Sequence, residues 1–516
     1  MSTSSVLVTA VALGVAALAF SRRNLPRKAP SSPIVIPSYT STRSRQSKTF
    51  EEAVLLGLAN DGGLFCPTSV PSIDVAKLEK LAYSEVAGEI FKLYVPEESI
   101  PHQALQGLVN KTYLTNPLFR TRKVTPTIRL EKTNVSLMEL FHGPTFAFKD
   151  IALQFLGNLF EFLLAKKQPA MKITVVGATS GDTGSSAIHG LAGKAGINCV
   201  ILFPKGRVSP VQELQMTTVA DENVFCCPVR DGTFDDCQDM VKLCFKDEKF
   251  RAKYNLAAVN SINWARILAQ ITYYFVSYFE VRQRTQKPVV FVVPTGNFGD
   301  ILAGYYAKRM GLPIHKLVVA TNENDILDRF FQTGAYERRE VTPTITPSMD
   351  ICVSSNFERF LYHMLGDDAE QTRTLMNEFE KTKRFQLPAG AFAKCKQEME
   401  SSMVTEAEIR TQMKQTLEQD AYLLDPHTAV GVAAAKKLQA KYPTQDVEYV
   451  CLATAHWAKF ADAVEGAVGP KVTTEWTTNH FPHEFEKIKQ LPTRSFELEP
   501  TVASVQAFIQ DKIPAV

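Results

Sequence analysis

The sequence predicts an α/β fold in which a mostly parallel sheet is covered by helices on both faces. Three observations point there. Apolar, β-rich runs recur along the 516-residue chain. Each run ends in a short polar loop, and each loop opens a helix-periodic segment. The units are KITVVGA (Lys172–Ala178) with the loop TSGDTG and the helix SSAIHGLAGKA; VVFVVP (Val289–Pro294) with TGNFGD and ILAGYYAKRMG; KLVVAT (Lys316–Thr321) with NEND and ILDRFF; and VEYVCLA (Val447–Ala453), which leads to Thr454-Ala455-His456 and a further helix. Strands alternating with helices pair in parallel. Ligands of such sheets bind outside the carboxyl ends of the strands, where all four loops fall.

Composition narrows the function class. A hydrophobic content of 45% with 22% charged residues is that of an ordinary globular protein. A formal charge of +3 is too close to zero to argue for a nucleic-acid partner. The nine cysteines are scattered, with no CxxC pair and no zinc spacing, as expected of free thiols in a reducing compartment.

The first forty residues read as a targeting leader. Val6–Phe20 is an unbroken, weakly apolar run followed by Arg22, Arg23, Arg27 and Lys28, and no acid precedes Glu51. At about 1.5 Å per residue the run reaches roughly 22 Å, short of a bilayer core of about 30 Å. That suits a signal-peptide core, with Ala17-Leu18-Ala19 as a small-residue cleavage site, followed by a basic, Ser/Pro-rich transit-like stretch. The pattern resembles the two-part leaders of plastids acquired by secondary endosymbiosis; the competing readings are a mitochondrial leader, a membrane anchor or a cytoplasmic protein. No stable membrane association is expected once the leader is removed.

From Ser41 the globular chain divides into 41–135, 136–285 and 286–516. Thr49 is an N-cap with Glu52 three residues on. The stretch from Val75 to Thr115 is helical in pattern, and Thr125-Pro126 marks a loop before the strand-like SLMELF. The charged stretch from Asp367 to Asp420 reads as solvated helices inserted on the surface, with a C-terminal tail beyond Lys471.

The organising stretch is Leu140–Asp150, LFHGPTFAFKD. Gly143-Pro144 signals a turn, and helical periodicity starts near Asp150, an acid suited to a helix cap. Lys149 lies between Phe148 and Asp150. Desolvation lowers an amine's pKa and makes it a nucleophile able to form a Schiff base; the alternative is a surface lysine laid along apolar neighbours.

Two loops supply anion sites. In TGNFGD, Gly296 and Gly299 allow close approach of backbone N–H groups at a helix start, which suits a phosphate. Neither GK[ST] nor GxGxxG is present, so a nucleotide is not favoured. In TSGDTG, Thr179, Ser180 and Thr183 offer hydroxyls for a carboxylate or phosphate, with Asp182 an ill-fitting anion among them. The competing reading is a tight strand-to-helix turn for the first loop and a Ser/Thr/Asp-rich helix cap for the second. An activated lysine with two anion loops makes the parts of a pyridoxal 5′-phosphate site.

These blocks, with AVNSINWARILAQ and LATAHWAKFADAV, resemble the threonine synthases of the fungal and bacterial branch, in order from about Ser41 to Val468. The resemblance implies two open, mostly parallel sheets of the tryptophan-synthase-β-like type, behind an N-terminal α/β extension. It implies a pyridoxal-phosphate-dependent carbon–oxygen lyase acting on phosphates, which turns O-phospho-L-homoserine and water into L-threonine and phosphate. It further implies Lys149 as Schiff-base lysine and general base. Gly296, Asn297, Phe298, Asp300 and Thr454 would be cofactor-binding, and Thr179, Ser180, Thr183, Asn260, Ser261 and Arg266 substrate-binding. Unaided, NSINWAR reads as a capped helix start. Trp457 departs from the family pattern, which has proline after Ala-His, and is expected to reshape the wall behind the cofactor ring. His142 reads either as a site residue or as a turn stabiliser, and His427 as structural. Three alternatives remain: a phospho-lyase that ends at 2-oxobutyrate, a serine/threonine dehydratase, and a non-catalytic phosphate binder.

Overall fold

The computed structural model describes residues 38–167 and 171–515, so most of the leader read at 1–40 lies outside the described residues. Two sheets organise the rest. The larger runs in the order Met399–Met403, Ile314–Thr321, Val289–Pro294, Glu448–Ala453, Val135–Glu139 and Thr127–Leu130. Every neighbouring pair in it is parallel except the last. The smaller sheet, Val224–Val229, Ile197–Pro204, Ile173–Ala178 and Leu256–Ala257, is parallel throughout. An antiparallel trio, Ser47–Lys48, Tyr39–Ser41 and Phe65–Pro67, forms the N-terminal extension.

The strand runs without polar alternation are the ones buried on both faces: Val289–Pro294 and Glu448–Ala453 have no exposed residue. Helices Lys149–Ala165 and Trp264–Arg282 are apolar almost all round and form the core beside them. Thr49 and Glu52 form the capping box that their spacing predicts. Among the described residues no helix is long and apolar enough to cross a membrane.

One expectation needs correction. The stretch 367–420 is no surface insertion. Its Met399–Met403 is an edge strand of the larger sheet, and Phe379, Phe385, Cys395, Ile409 and Met413 are buried. Lysines and glutamates on its outer faces mask an apolar inner face, as Ile409 and Met413 show at i,i+4 in the helix Glu406–Asp420. The tail beyond Lys471 is also built in. Leu498 bridges Val229 at the edge of the smaller sheet, and Val505 and Ile509 of helix Val502–Lys512 pack with Val200 and Cys227.

Candidate active site

Lys149 opens the helix Lys149–Ala165, and its side chain is buried. Asp150 does not cap that helix. Phe148 occupies the cap position, and the Asp150 carboxylate reaches back to accept from the Thr145 N–H at 2.7 Å and the Thr145 hydroxyl at 2.6 Å. Gly143 is required here, because a Cβ would meet the Asp150 side chain at 2.4 Å. Phe146 takes a left-handed conformation (φ +60°) under the Arg120 guanidinium, which lies 3.2 Å from the ring centroid. The Phe148 N–H donates to the Thr454 carbonyl at 2.9 Å. The lysine turn is thus braced internally and tied to the strand end that carries Thr454.

The TSGDTG loop, at the end of Ile173–Ala178, brings Asp182 to the lysine. Its Oδ2 lies 3.6 Å from Lys149 Nζ, and its Oδ1 lies 2.6 Å from Lys459 Nζ. Gln212 Nε2 donates to Oδ1 at 2.9 Å. The hydroxyl of Thr179 accepts from the N–H groups of Gly181 (3.0 Å) and Gly184 (2.8 Å), which shapes the loop and leaves its own proton to donate. Ser180 and Thr183 are half-buried. The helix after this loop starts at Asp182, earlier than the sequence suggests.

The second loop follows Val289–Pro294. Phe298 is left-handed (φ +65°) and caps helix Gly299–Arg309, whose N-terminus faces the loop. The loop is stapled by a segment that the sequence reading passed over. Ser354 Oγ donates to the Gly296 carbonyl (2.6 Å), Ser355 Oγ to Asn297 Oδ1 (3.1 Å), and the Asn356 N–H to the Asn297 carbonyl (3.0 Å). Ser261 Oγ lies 3.0 Å from Ser355 Oγ, so the NSINWAR block joins the same cluster. Asn260 is exposed. The third loop, NEND, acts through a neighbouring segment: Asn322 and Asn324 bond Thr344, Thr346 and Asp350, and Ser348 of that segment donates to Asp182 Oδ2 at 3.4 Å.

Arg266 and Asp300 complete the floor. Arg266 is buried and donates to the Val259 carbonyl at 3.0 Å, while its Nε has no partner among the described residues. Asp300 Oδ1 accepts from the hydroxyls of Tyr273 (2.6 Å) and Tyr274 (2.9 Å), and Oδ2 has no such partner. Burial pushes Asp300 up to about 6 against those two hydroxyls and Lys149, and burial pushes Arg266 down to about 10. Burial lowers the Lys149 amine; Asp182 opposes this, and Lys459 and Arg266 add to it. Burial would raise Asp182, but Lys459 and Lys149 outweigh it and hold the carboxyl well below the usual range.

His142 bonds Glu139 at 2.8 Å, a turn-stabilising contact. Asp425 caps helix Pro426–Lys441 through the N–H groups of His427 and Thr428, as the sequence indicates. Trp457 lines a cavity of about 280 Å³ with Phe141, His142, Leu423 and His456, a cavity that Lys149 does not line.

The donor set fits pyridoxal phosphate. A buried amine of lowered basicity suits an aldehyde, a helix N-terminus after a glycine loop suits a phosphate, and the unpartnered Arg266 Nε calls for an anion. Fold and site together define a pyridoxal-phosphate-dependent enzyme. Residues 115–394 match the family model "Pyridoxal-phosphate dependent enzyme", 38–113 match "Threonine synthase N terminus", and 428–509 match "Threonine synthase, C-terminal". The threonine synthase of Saccharomyces cerevisiae is 48% identical over 483 residues, 88% of this chain and 93% of that one. The crystal structure of threonine synthase from yeast superposes with a TM-score of 0.87 at 44% identity, covering 92% of this chain and 98% of that one. The PLP-bound threonine synthase from Brucella melitensis gives a TM-score of 0.85 at 40% identity, covering 92% and 99%. The chain belongs to the threonine synthase family.

Proposed function

We propose that this chain converts O-phospho-L-homoserine and water to L-threonine and phosphate, with Lys149 as the residue that takes the cofactor. The observation that carries the proposal is the buried Lys149 amine, of lowered basicity, set beside Asp182 and next to the Thr454 strand end. Pyridoxal phosphate, when bound, supplies an electron sink for the charge left when the substrate's α proton is removed. Gly296, Asn297, Phe298 and Asp300 would hold its phosphate end. Thr454 would meet the ring nitrogen with a neutral hydroxyl, which leaves that nitrogen without a carboxylate partner.

Lys149 would be the base that takes the substrate's α proton. Loss of a β proton expels the γ-phosphate. The γ carbon is then reprotonated, and water adds at the β carbon. A mobile amine of lowered basicity suits repeated proton transfers of this kind. Arg266, with Asn260 and Ser261, would receive the substrate phosphate, and a planar guanidinium matches that group well. Thr179, Ser180 and Thr183 would line the substrate from the other loop.

The test is a product assay with pyridoxal phosphate and O-phosphohomoserine. Threonine and phosphate in equal amounts are expected; 2-oxobutyrate with phosphate would move the chain to a phospho-lyase. The basic, acid-free segment before residue 41 supports import into an organelle, a plastid first, and fusion of residues 1–40 to a fluorescent protein tests that.

A further inference from the structure

The site holds a second buried lysine that this chemistry does not use. The Lys459 side chain is 0% exposed. Its Nζ lies 2.6 Å from Asp182 Oδ1 and donates to the Thr145 carbonyl at 2.8 Å. The other oxygen of Asp182 lies 3.6 Å from Lys149 Nζ. One carboxylate therefore stands between two amines, and it is closer to Lys459. Lys459 has two acceptors within 2.8 Å, whereas Lys149 has the more distant oxygen of a carboxylate already engaged.

The arrangement matters because a carboxylate alone beside Lys149 would favour its ammonium form. A lysine kept as an ammonium is neither a nucleophile nor a base. We propose that Lys459 is a positioning residue that keeps Lys149 reactive: it holds Asp182 at 2.6 Å, so that the carboxylate pairs with Lys149 only at 3.6 Å and as the weaker partner. Its own positive charge acts in the same direction by repelling a second ammonium. Lys149 also faces Arg266 from helix Trp264–Arg282 and Asp300 from helix Gly299–Arg309; Asp182 also faces His427 from helix Pro426–Lys441. Arg266 assists Lys459, and Asp300 opposes both. Through the Thr145 carbonyl, which also accepts from Gln215 at 3.0 Å, Lys459 ties the lysine turn to the Asp182 loop. The inference rests on the reading of Lys149 as the cofactor lysine.

The test is competitive acetylation of the full chain stripped of cofactor, with acetic anhydride over a range of pH, read at Lys149 by mass spectrometry. K459M is expected to raise the Lys149 midpoint by about one to two pH units, and K459R to bring it back towards the wild-type value. An unmoved midpoint in K459M with a native circular-dichroism spectrum overturns the proposal, as does a K459R midpoint equal to that of K459M. Should K459M fail to fold, D182N supplies the opposite sign: without the carboxylate the Lys149 midpoint falls, and a rise overturns the proposal. The midpoints are read without substrate, so they are separable from a failure to make threonine.

Discussion

Oδ2 of Asp182 lies 3.6 Å from the amine of Lys149, the residue that opens helix Lys149–Ala165. This contact joins the two sheets' loops at one point, since Asp182 follows a strand of the smaller sheet and Lys149 is tied to a strand end of the larger one. The predictions below follow from it and from the groups around it.

Removal of the Asp182 charge leaves Lys459 buried without its carboxylate. Breaking a buried pair in this way costs about 3–5 kcal/mol, and D182N is expected to lose that much at neutral pH by denaturant unfolding. The folded-state carboxyl of Asp182 lies well below its unfolded value, which is near about 3.9. Its stabilisation is therefore complete above about pH 4 and is lost as pH falls further. The gap between wild type and D182N should stay constant down to that point and narrow below it; a gap that widens in acid contradicts the assignment.

Asp300 has the opposite sign. Its carboxyl is pushed up to about 6 by burial, so the folded state holds a proton that the unfolded state has already released. In the cofactor-free chain, stability should fall between about pH 4 and 6 by on the order of 3 kcal/mol from this group alone. D300N should remove that slope. An unchanged slope in D300N, followed by chemical denaturation at each pH, would show that Asp300 titrates normally.

Arg266 is a buried cation with one carbonyl partner and an unpaired Nε. R266M is expected to lower kcat/KM for O-phosphohomoserine by about 10–100-fold, the loss of a charge-assisted bond to phosphate, while cofactor loading changes far less. Equal losses in both would remove Arg266 from the substrate phosphate. Because the guanidinium has no counter-ion among the described residues, R266M should not lower the unfolding midpoint.

Gly181 sits at φ +133°, and a Cβ there would come within 2.3 Å of the Gln212 side chain that bonds Asp182. G181A is expected to lose about 1–3 kcal/mol of stability from strain and overpacking and to reduce turnover through the displaced Asp182. Wild-type turnover and stability in G181A would show that the loop tolerates a different backbone.

Much of this site was legible because its signals are local. A lysine among phenylalanines after Gly-Pro marks the turn, and glycines between an apolar strand and a helix mark the phosphate loop. The partners of those residues were not legible. Asp182 looked misplaced in an anion loop because its cations, Lys459 above all, come from far along the chain. Ser354, Ser355 and Asn356 carry no motif, although they staple Gly296 and Asn297. The edge strand Met399–Met403 was hidden by the charged faces of the helices on either side of it. Side-chain chemistry can be read from short spacings; the pairing of distant charges requires the fold.

The most direct test of the account is the position of the cofactor bond. The chain loaded with pyridoxal phosphate would be reduced with borohydride, digested and mapped by mass spectrometry. The pyridoxyl group is predicted on Lys149, with Lys459 unmodified and no label retained in Lys149→Ala. Label on Lys459, or on Lys149→Ala at wild-type yield, would contradict the central claim.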